Sequence, residues 1–360
     1  MDELPNARVN RLRERLPESK DTAMIVASGV NRRYLSGFSG TSGVLLLSGE
    51  RAALLTDFRY QEQAPQQAIG FEVVIHGPDM KAKIGEVLGS WGISRLLFED
   101  GHVTHAEHAA WVKALAPIEL APAGGIIEEL RQIKDPGELD IMQEAADVAD
   151  RAFEHVLEII KPGVSEMDVA AELEMFMRKA GASGPSFDTI VASGERSAMP
   201  HGVASTRLIG SGEFVTLDFG AYYKGYCSDL TRTVFVGEPT DKHREIYGIV
   251  KEAQAYALEH LKPGMTGREG DALTRDIIAR YGYGDNFGHG TGHGLGMDIH
   301  ESPRLSATCD TVLQPGMVVT VEPGIYLPGF GGVRIEDDVV MTDTGIQILT
   351  RSSKELILLS

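Results

Sequence analysis

Residues 215–233 read VTLDFGAYYKGYCSDLTRT and residues 321–339 read VEPGIYLPGFGGVRIEDDV, and these two stretches decide the fold. Each is a pair of β-rich runs joined by a turn: Lys224-Gly225 in the first, a Pro/Gly-rich link in the second. Short runs rich in Val, Ile, Thr and Tyr, with glycine between them, read as hairpins. Upstream of each lies the same punctuation, Lys161-Pro162-Gly163-Val164-Ser165 and Lys262-Pro263-Gly264-Met265-Thr266. Pro and Gly stop one helix there, and Ser or Thr caps the next. Each half therefore reads helix, helix, hairpin. A pseudo-twofold repeat of this kind brings the two hairpins together around one cleft.

The hairpins carry acids at matching places. Asp218 and Asp229 lie on the first, Glu322 and Glu336 on the second, and His293 stands in the intervening HGTGHGLG. Four carboxylates and an imidazole form a hard donor set suited to Mn²⁺, Co²⁺, Fe²⁺ or catalytic Zn²⁺. Converging carboxylates repel one another unless cations sit between them, so a metal pair is the natural resolution. The glycines flanking His289 and His293 are expected to let backbone approach a ligand closely. By contrast, His102, His105 and His108 sit at a helix start on a solvated face with no carboxylates beside them, and no metal is assigned there.

Length and composition frame these motifs. A chain of 360 residues exceeds what one hydrophobic core ordinarily supports, so two domains are expected. Before residue 130, the runs AMIVAS, GVLLLSG, RAALLTD, FEVVIHG and SRLLFED read as strands, with helices after Asp57, Pro78 and Val103. That alternation predicts an α/β layer domain over residues 1–128, and the helix, helix, hairpin repeat predicts a second, α+β domain over residues 129–360. Asp135-Pro136-Gly137-Glu138 is a strong helix start, predicting a helix from Pro136 to about Ile160. The formal charge of −18 argues against nucleic acid and anionic membrane surfaces as partners. Only Cys227 and Cys309 are present, so no disulfide framework is expected, and Cys227 reads as a small buried hydrophobe. The polar N-terminus, MDELPNARVNRLRERL, has no apolar signal core, and no apolar run reaches the length of a membrane span. A cytoplasmic protein is expected.

These residues resemble the pita-bread-fold metallopeptidases, specifically the Xaa-Pro dipeptidase (prolidase) and aminopeptidase P group. SFDTIVASGERSAMPHG, GHGTGHGLGMDIHESPRL and NRRYLSGFSGTSG carry the likeness together with the two hairpins, over nearly the whole chain. The resemblance implies an α/β N-terminal domain of the creatinase/prolidase type plus a pita-bread catalytic domain. It implies two divalent ions per subunit, Mn²⁺ being the first choice, held by Asp218, Asp229, His293, Glu322 and Glu336, with Asp229 and Glu336 bridging. It also implies catalytic roles for His201, His289, His300 and Glu322, substrate contacts from Phe187 and Arg304, and an orienting role for Arg334.

The expected reaction is hydrolysis of the Xaa-Pro bond at the N-terminus of dipeptides or short peptides. A metal-bridging hydroxide would attack the carbonyl with Glu322 accepting its proton, His300 stabilising the oxyanion and His201 serving the imino leaving group. An Xaa-Pro bond has no N–H for an enzyme to grip, which favours a site built around metals and a pyrrolidine-sized pocket. Arg304 could meet a C-terminal carboxylate bidentately and so favour dipeptides. A homodimer is implied as well, the N-terminal domain of one subunit bordering the other's site. Aromatics, glycine and arginine in residues 31–43 and 56–60 read as recognition loops in support of it. Metal-free creatine amidinohydrolases and non-catalytic peptide-binding modules share the fold but lack the full ligand set. Methionine aminopeptidases match the catalytic half alone.

Overall fold

The structure is a computed structural model that describes residues 4–360. The first residues of the polar N-terminal stretch, 1–3, lie outside the described residues. The chain divides into two compact units, Met1–Arg131 and Gln132–Ser360.

The first unit is built on a six-stranded mixed sheet. Its strands run in the spatial order Glu72–Ile75, Ala52–Thr56, Val44–Ser48, Thr22–Val26, Arg95–Phe98, Glu119–Pro122. Alternate residues of the central strands (Ala23 and Ile25, Val44 and Leu46, Ala53 and Leu55, Leu96 and Phe98) pack with Ile84, Leu88, Trp111 and Leu115 of the helices Met80–Trp91 and His105–Leu115. The intervening Met24, Leu45, Leu47 and Leu54 are also buried, so both faces of the sheet are covered. Continuous apolar runs are what two covered faces require. The sixth strand, Glu119–Pro122, escapes the sequence reading because it ends in proline, which an edge strand tolerates.

The recognition-loop reading of residues 31–43 is corrected over residues 31–36, which are helical, while residues 37–43 do form a loop. A helix, Gly29–Ser36, is capped by the Ser28 side chain and ends at Gly37, whose φ is 75°. Asn31, Tyr34 and Phe38 are fully buried, and the Arg32 guanidinium donates to the carbonyls of Gly40 and Gly43, each at 2.5 Å. Arginine and aromatics serve core packing in this stretch, because amphipathic side chains bury readily when backbone carbonyls meet their polar ends. In the second stretch Thr56 is buried, but Phe58 is 72% exposed and exposed Arg59 pairs with Asp57. After Asp57 the chain makes a short 3₁₀ turn, Phe58–Tyr60, and then the helix Gln63–Gln67.

The second unit repeats one plan. Helix Pro136–Val156 opens on the Asp135/Glu138 capping box and stops four residues short of the expected Ile160. Ser165 caps Glu166–Lys179, and Thr266 caps Gly267–Arg280. The internal echo reaches the backbone. Gly163, Glu166 and Met167 donate to the carbonyls of Ile209, Arg207 and Ser205, and Gly264, Gly267 and Arg268 donate to those of Leu313, Thr311 and Cys309.

Each predicted hairpin is broken in mid-length. The first pairs Glu213–Phe219 with Leu230–Val236 and continues as Ala221–Tyr223 with Tyr226–Cys227. Its turn holds Lys224 and Gly225 at positive φ, 49° and 96°, the mirror-image geometry that matches strand twist. The second pairs Val318–Val321 with Asp337–Met341 and continues as Gly324–Leu327 with Gly331–Arg334. Asp229, Glu322 and Glu336 sit in the breaks, and Asp218 is the penultimate residue of its strand. At a break the chain leaves one sheet for another, so its side chains turn into the space between them.

Candidate metal centre

The breaks open onto one cleft of about 600 Å³ within the second unit, lined by Asp218, Asp229, His293, Glu322 and Glu336 among others. Ligand atoms of Asp229, His293 and Glu336 lie within 4.8 Å of one another. His293 Nε2 is 3.6 Å from an Asp229 carboxylate oxygen and 3.5 Å from one of Glu322. Its Nδ1 lies 3.0 Å from the Gly294 carbonyl and donates to it, which sets the tautomer and turns the Nε2 lone pair toward the carboxylates. Burial lowers the His293 pKa to about 3, so the ring is neutral at ordinary pH, as a metal ligand must be.

Neighbouring groups hold the acids in place. The Thr231 hydroxyl donates to Glu336 at 2.5 Å, and the Thr320 hydroxyl to Glu322 at 3.1 Å. Arg334 donates to Asp218 at 2.5 Å, to Thr231 at 3.1 Å and to the Tyr326 hydroxyl at 2.9 Å. The Asp229 amide donates to Asp338 at 2.8 Å, but its own Oδ1 is buried with no hydrogen-bond partner.

That orphaned oxygen is a costly feature, since a buried polar atom without a partner keeps its full desolvation penalty. Burial, then Glu336 and Asp218, push Asp229 well above the ordinary carboxylate range. Burial, then Glu322 and Asp218, do the same to Glu336. Burial also raises Glu322, to about 7. A hard, oxygen-rich, self-repelling set with an open lone pair fits divalent cations.

The histidines fall into two kinds. His201, in an exposed turn, and His300, also exposed, line the cleft, and the His300 ring meets that of His293 edge to face at 4.4 Å. His289 lines it too, but both its nitrogens are engaged, by the Gly290 carbonyl at 2.8 Å and the Tyr326 hydroxyl at 2.7 Å. Burial and Arg334 lower its pKa to about 4, so His289 presents a neutral wall.

The glycines around His289 and His293 do something other than expected. A Cβ at Gly292 would lie 1.9 Å from the Thr320 carbonyl oxygen, and one at Gly290 would lie 2.7 Å from that of Leu305. Close approach here is strand to strand, because Gly292–Gly294 pairs with strands on both sides.

Phe187 and Ile190 form an apolar wall, and exposed Arg304 lines the cleft with no carboxylate partner among the described residues. Cys227 is buried, its thiol pushed up to about 12. Sequence reasoning missed Tyr326, Thr231 and Asp338. Tyr326 and Thr231 read as ordinary strand residues, and only the acidic run Glu336-Asp337-Asp338 hinted at the third.

Residues 140–343 match the model of metallopeptidase family M24, and residues 8–133 match the creatinase/prolidase N-terminal domain. An Xaa-Pro dipeptidase of Pyrococcus horikoshii is 41% identical, covering 99% of this chain and 100% of the relative. The solved Xaa-Pro dipeptidase from Bacillus anthracis is 53% identical with a TM-score of 0.96, covering 99% of this chain and 100% of that one. The X-Pro aminopeptidase structure from Thermotoga maritima is 38% identical with a TM-score of 0.91, covering 97% and 100%. Among the described residues no helix is long and apolar enough to cross a membrane.

Proposed function

The chain belongs to metallopeptidase family M24 as a prolidase-like metallo-exopeptidase, and from that premise we propose that it hydrolyses the Xaa-Pro bond of dipeptides and short peptides. The observation that carries the metal-dependent reading is the buried, unpartnered Oδ1 of Asp229 among acids raised by burial and then by their mutual repulsion. Asp218, Asp229, His293, Glu322 and Glu336 would hold two divalent ions, Mn²⁺ first, then Co²⁺, Zn²⁺ or Fe²⁺. When bound, such ions polarise the scissile carbonyl and make water nucleophilic near neutral pH.

The chain's own residues do the rest. Glu322 accepts the proton of the attacking water. His300 donates toward the oxygen on which charge develops, and His201 serves the imino nitrogen that leaves. His289 and Phe187 close around the proline ring. Arg304, in no ion pair with a carboxylate among the described residues, receives the C-terminal carboxylate of a dipeptide, where two parallel N–H bonds give both strength and orientation.

A homodimer and a cytoplasmic location complete the reading. The dimer rests on the resemblance alone, since residues 31–38 are largely committed to their own core. Light scattering at assay concentration tests it. The cytoplasmic location is supported by two free cysteines.

The decisive experiment compares Ala-Pro with Ala-Pro-Ala, supplying Mn²⁺, Co²⁺ and Zn²⁺ in turn to chelated protein. Expected is metal-dependent cleavage with Ala-Pro preferred. Full activity in protein stripped of metal would overturn the two-metal reading.

A further inference from the structure

The segment 287–291 brings His289 to the cleft, yet it belongs to no helix or strand. Irregular backbone beside a cleft needs partners for its amides and carbonyls from elsewhere. One ion pair on the neighbouring helix Gly267–Arg280 supplies them. Asp271 and Arg275, four residues apart on one helix face, are paired bidentately at 2.6 and 3.0 Å. Arg275 donates onward to the Phe287 carbonyl at 3.0 Å and the His289 carbonyl at 2.7 Å, and its guanidinium covers the Phe287 ring at 4.5 Å. Asp271, which is buried, accepts the Thr291 amide at 2.8 Å and its hydroxyl at 3.0 Å. The Thr291 carbonyl in turn accepts the amide of Glu322 at 2.7 Å.

A single guanidinium and a single carboxylate thus hold both ends of the segment and lead directly to Glu322. Neither side chain lines the cleft. We infer that Asp271 and Arg275 are a positioning pair, setting the place of the His289 ring and of the Glu322 backbone for the hydrolysis proposed above. The functional half of this inference rests on that reading, while the clamp itself does not.

Lysine separates positioning from stability. Arg275→Lys keeps the charge opposite Asp271, but one ammonium cannot span the carboxylate and two carbonyls as a planar fork does. The lysine variant should keep its melting temperature and metal content. Hydrogen–deuterium exchange in peptides covering residues 287–293 should accelerate, with or without metal, while exchange in Glu213–Phe219 stays at the parental rate. On Ala-Pro, kcat/KM should fall by roughly 10- to 100-fold, the scale of a misplacement of about 1 Å. Methylguanidinium added to Arg275→Ala should recover part of that loss, since the Arg275 side chain is 30% exposed.

Unchanged exchange in the lysine variant would overturn the clamp, whatever the parent cleaves. Faster exchange with parental kcat/KM would overturn its functional part. A parent inactive on every Xaa-Pro peptide would remove the proposed function and leave the clamp to be judged on exchange.

Discussion

Glu336 and Asp337 are adjacent in the chain, both are buried, and their surroundings are opposites. Asp337 is fully partnered, by Arg232, Lys354 and Gln254 at 2.7 Å each and Thr350 at 2.9 Å. Burial alone would raise its carboxyl, but Arg232 and Lys354 hold it below the ordinary range. One residue away, burial drives Glu336 well above that range, and Glu322 and Asp218 facing it push the same way, with no cation to offset them as fully as at Asp337. The difference separates two uses of a buried acid. A structural carboxylate has its cations built in, whereas a ligand-holding carboxylate is left short of them so that something else can bind.

That contrast can be broken by substitution. The largest effect is expected from Glu336→Ala, which should bring peptidase activity below detection and lower bound metal, measured by elemental analysis, while the fold of the first unit survives. Normal turnover with normal metal content in that variant would end the two-metal reading.

The histidines sharpen the contrast within the cleft. His201→Ala and His300→Ala should lose about 10²- to 10⁴-fold in kcat while keeping metal. His293→Ala should lose metal as well. If either of the first two loses metal as completely as His293→Ala, their roles have been assigned wrongly.

Asp337→Asn should act on stability, not on metal chemistry. It leaves Arg232 and Lys354 beside a neutral amide, and removing one partner of a buried pair costs about 3–5 kcal/mol. Denaturant melts of the metal-free protein measure this. Asp229→Asn in the same metal-free protein should be neutral or stabilising, because it removes one of the repelling charges. Equal destabilisation by both would erase the distinction.

The smallest effect is the pH dependence of the metal-free protein. Glu322 is raised from 4.5 to about 7, so the folded state binds more protons than the unfolded one between those values. Stability should therefore fall as pH rises through that window, on the order of 1–3 kcal/mol, and added Mn²⁺ should flatten the slope. Asp337 has the opposite sign. Its contribution is present above the ordinary Asp range and lost as pH falls below it. A metal-free protein most stable at pH 8 would contradict the assignment of Glu322.

Much of this is legible in the sequence itself, for local reasons. Asp135, Ser165 and Thr266 cap helices through atoms three residues away, and Lys224-Gly225 makes its turn within a few bonds. Such interactions are encoded where they act. The paired acids were readable because each half of the catalytic unit carries the same signal, and the donor chemistry of carboxylates and imidazole does not depend on the fold.

What only the tertiary structure decided is which of three consecutive acids does what. Asp337 meets Arg232 and Lys354, Asp338 meets the Asp229 amide, and Glu336 meets Thr231. The glycines beside His293 likewise proved to answer to strands from elsewhere in the chain, and the arginine and aromatics of residues 31–38 to a core. No local rule assigns these, because burial, pairing and the repulsion that calls for a cation arise only when distant segments come together. The sequence by itself determined the caps, the turns and the repeated placement of the acids; folding decided which of those charges are satisfied and which are left without a built-in cation.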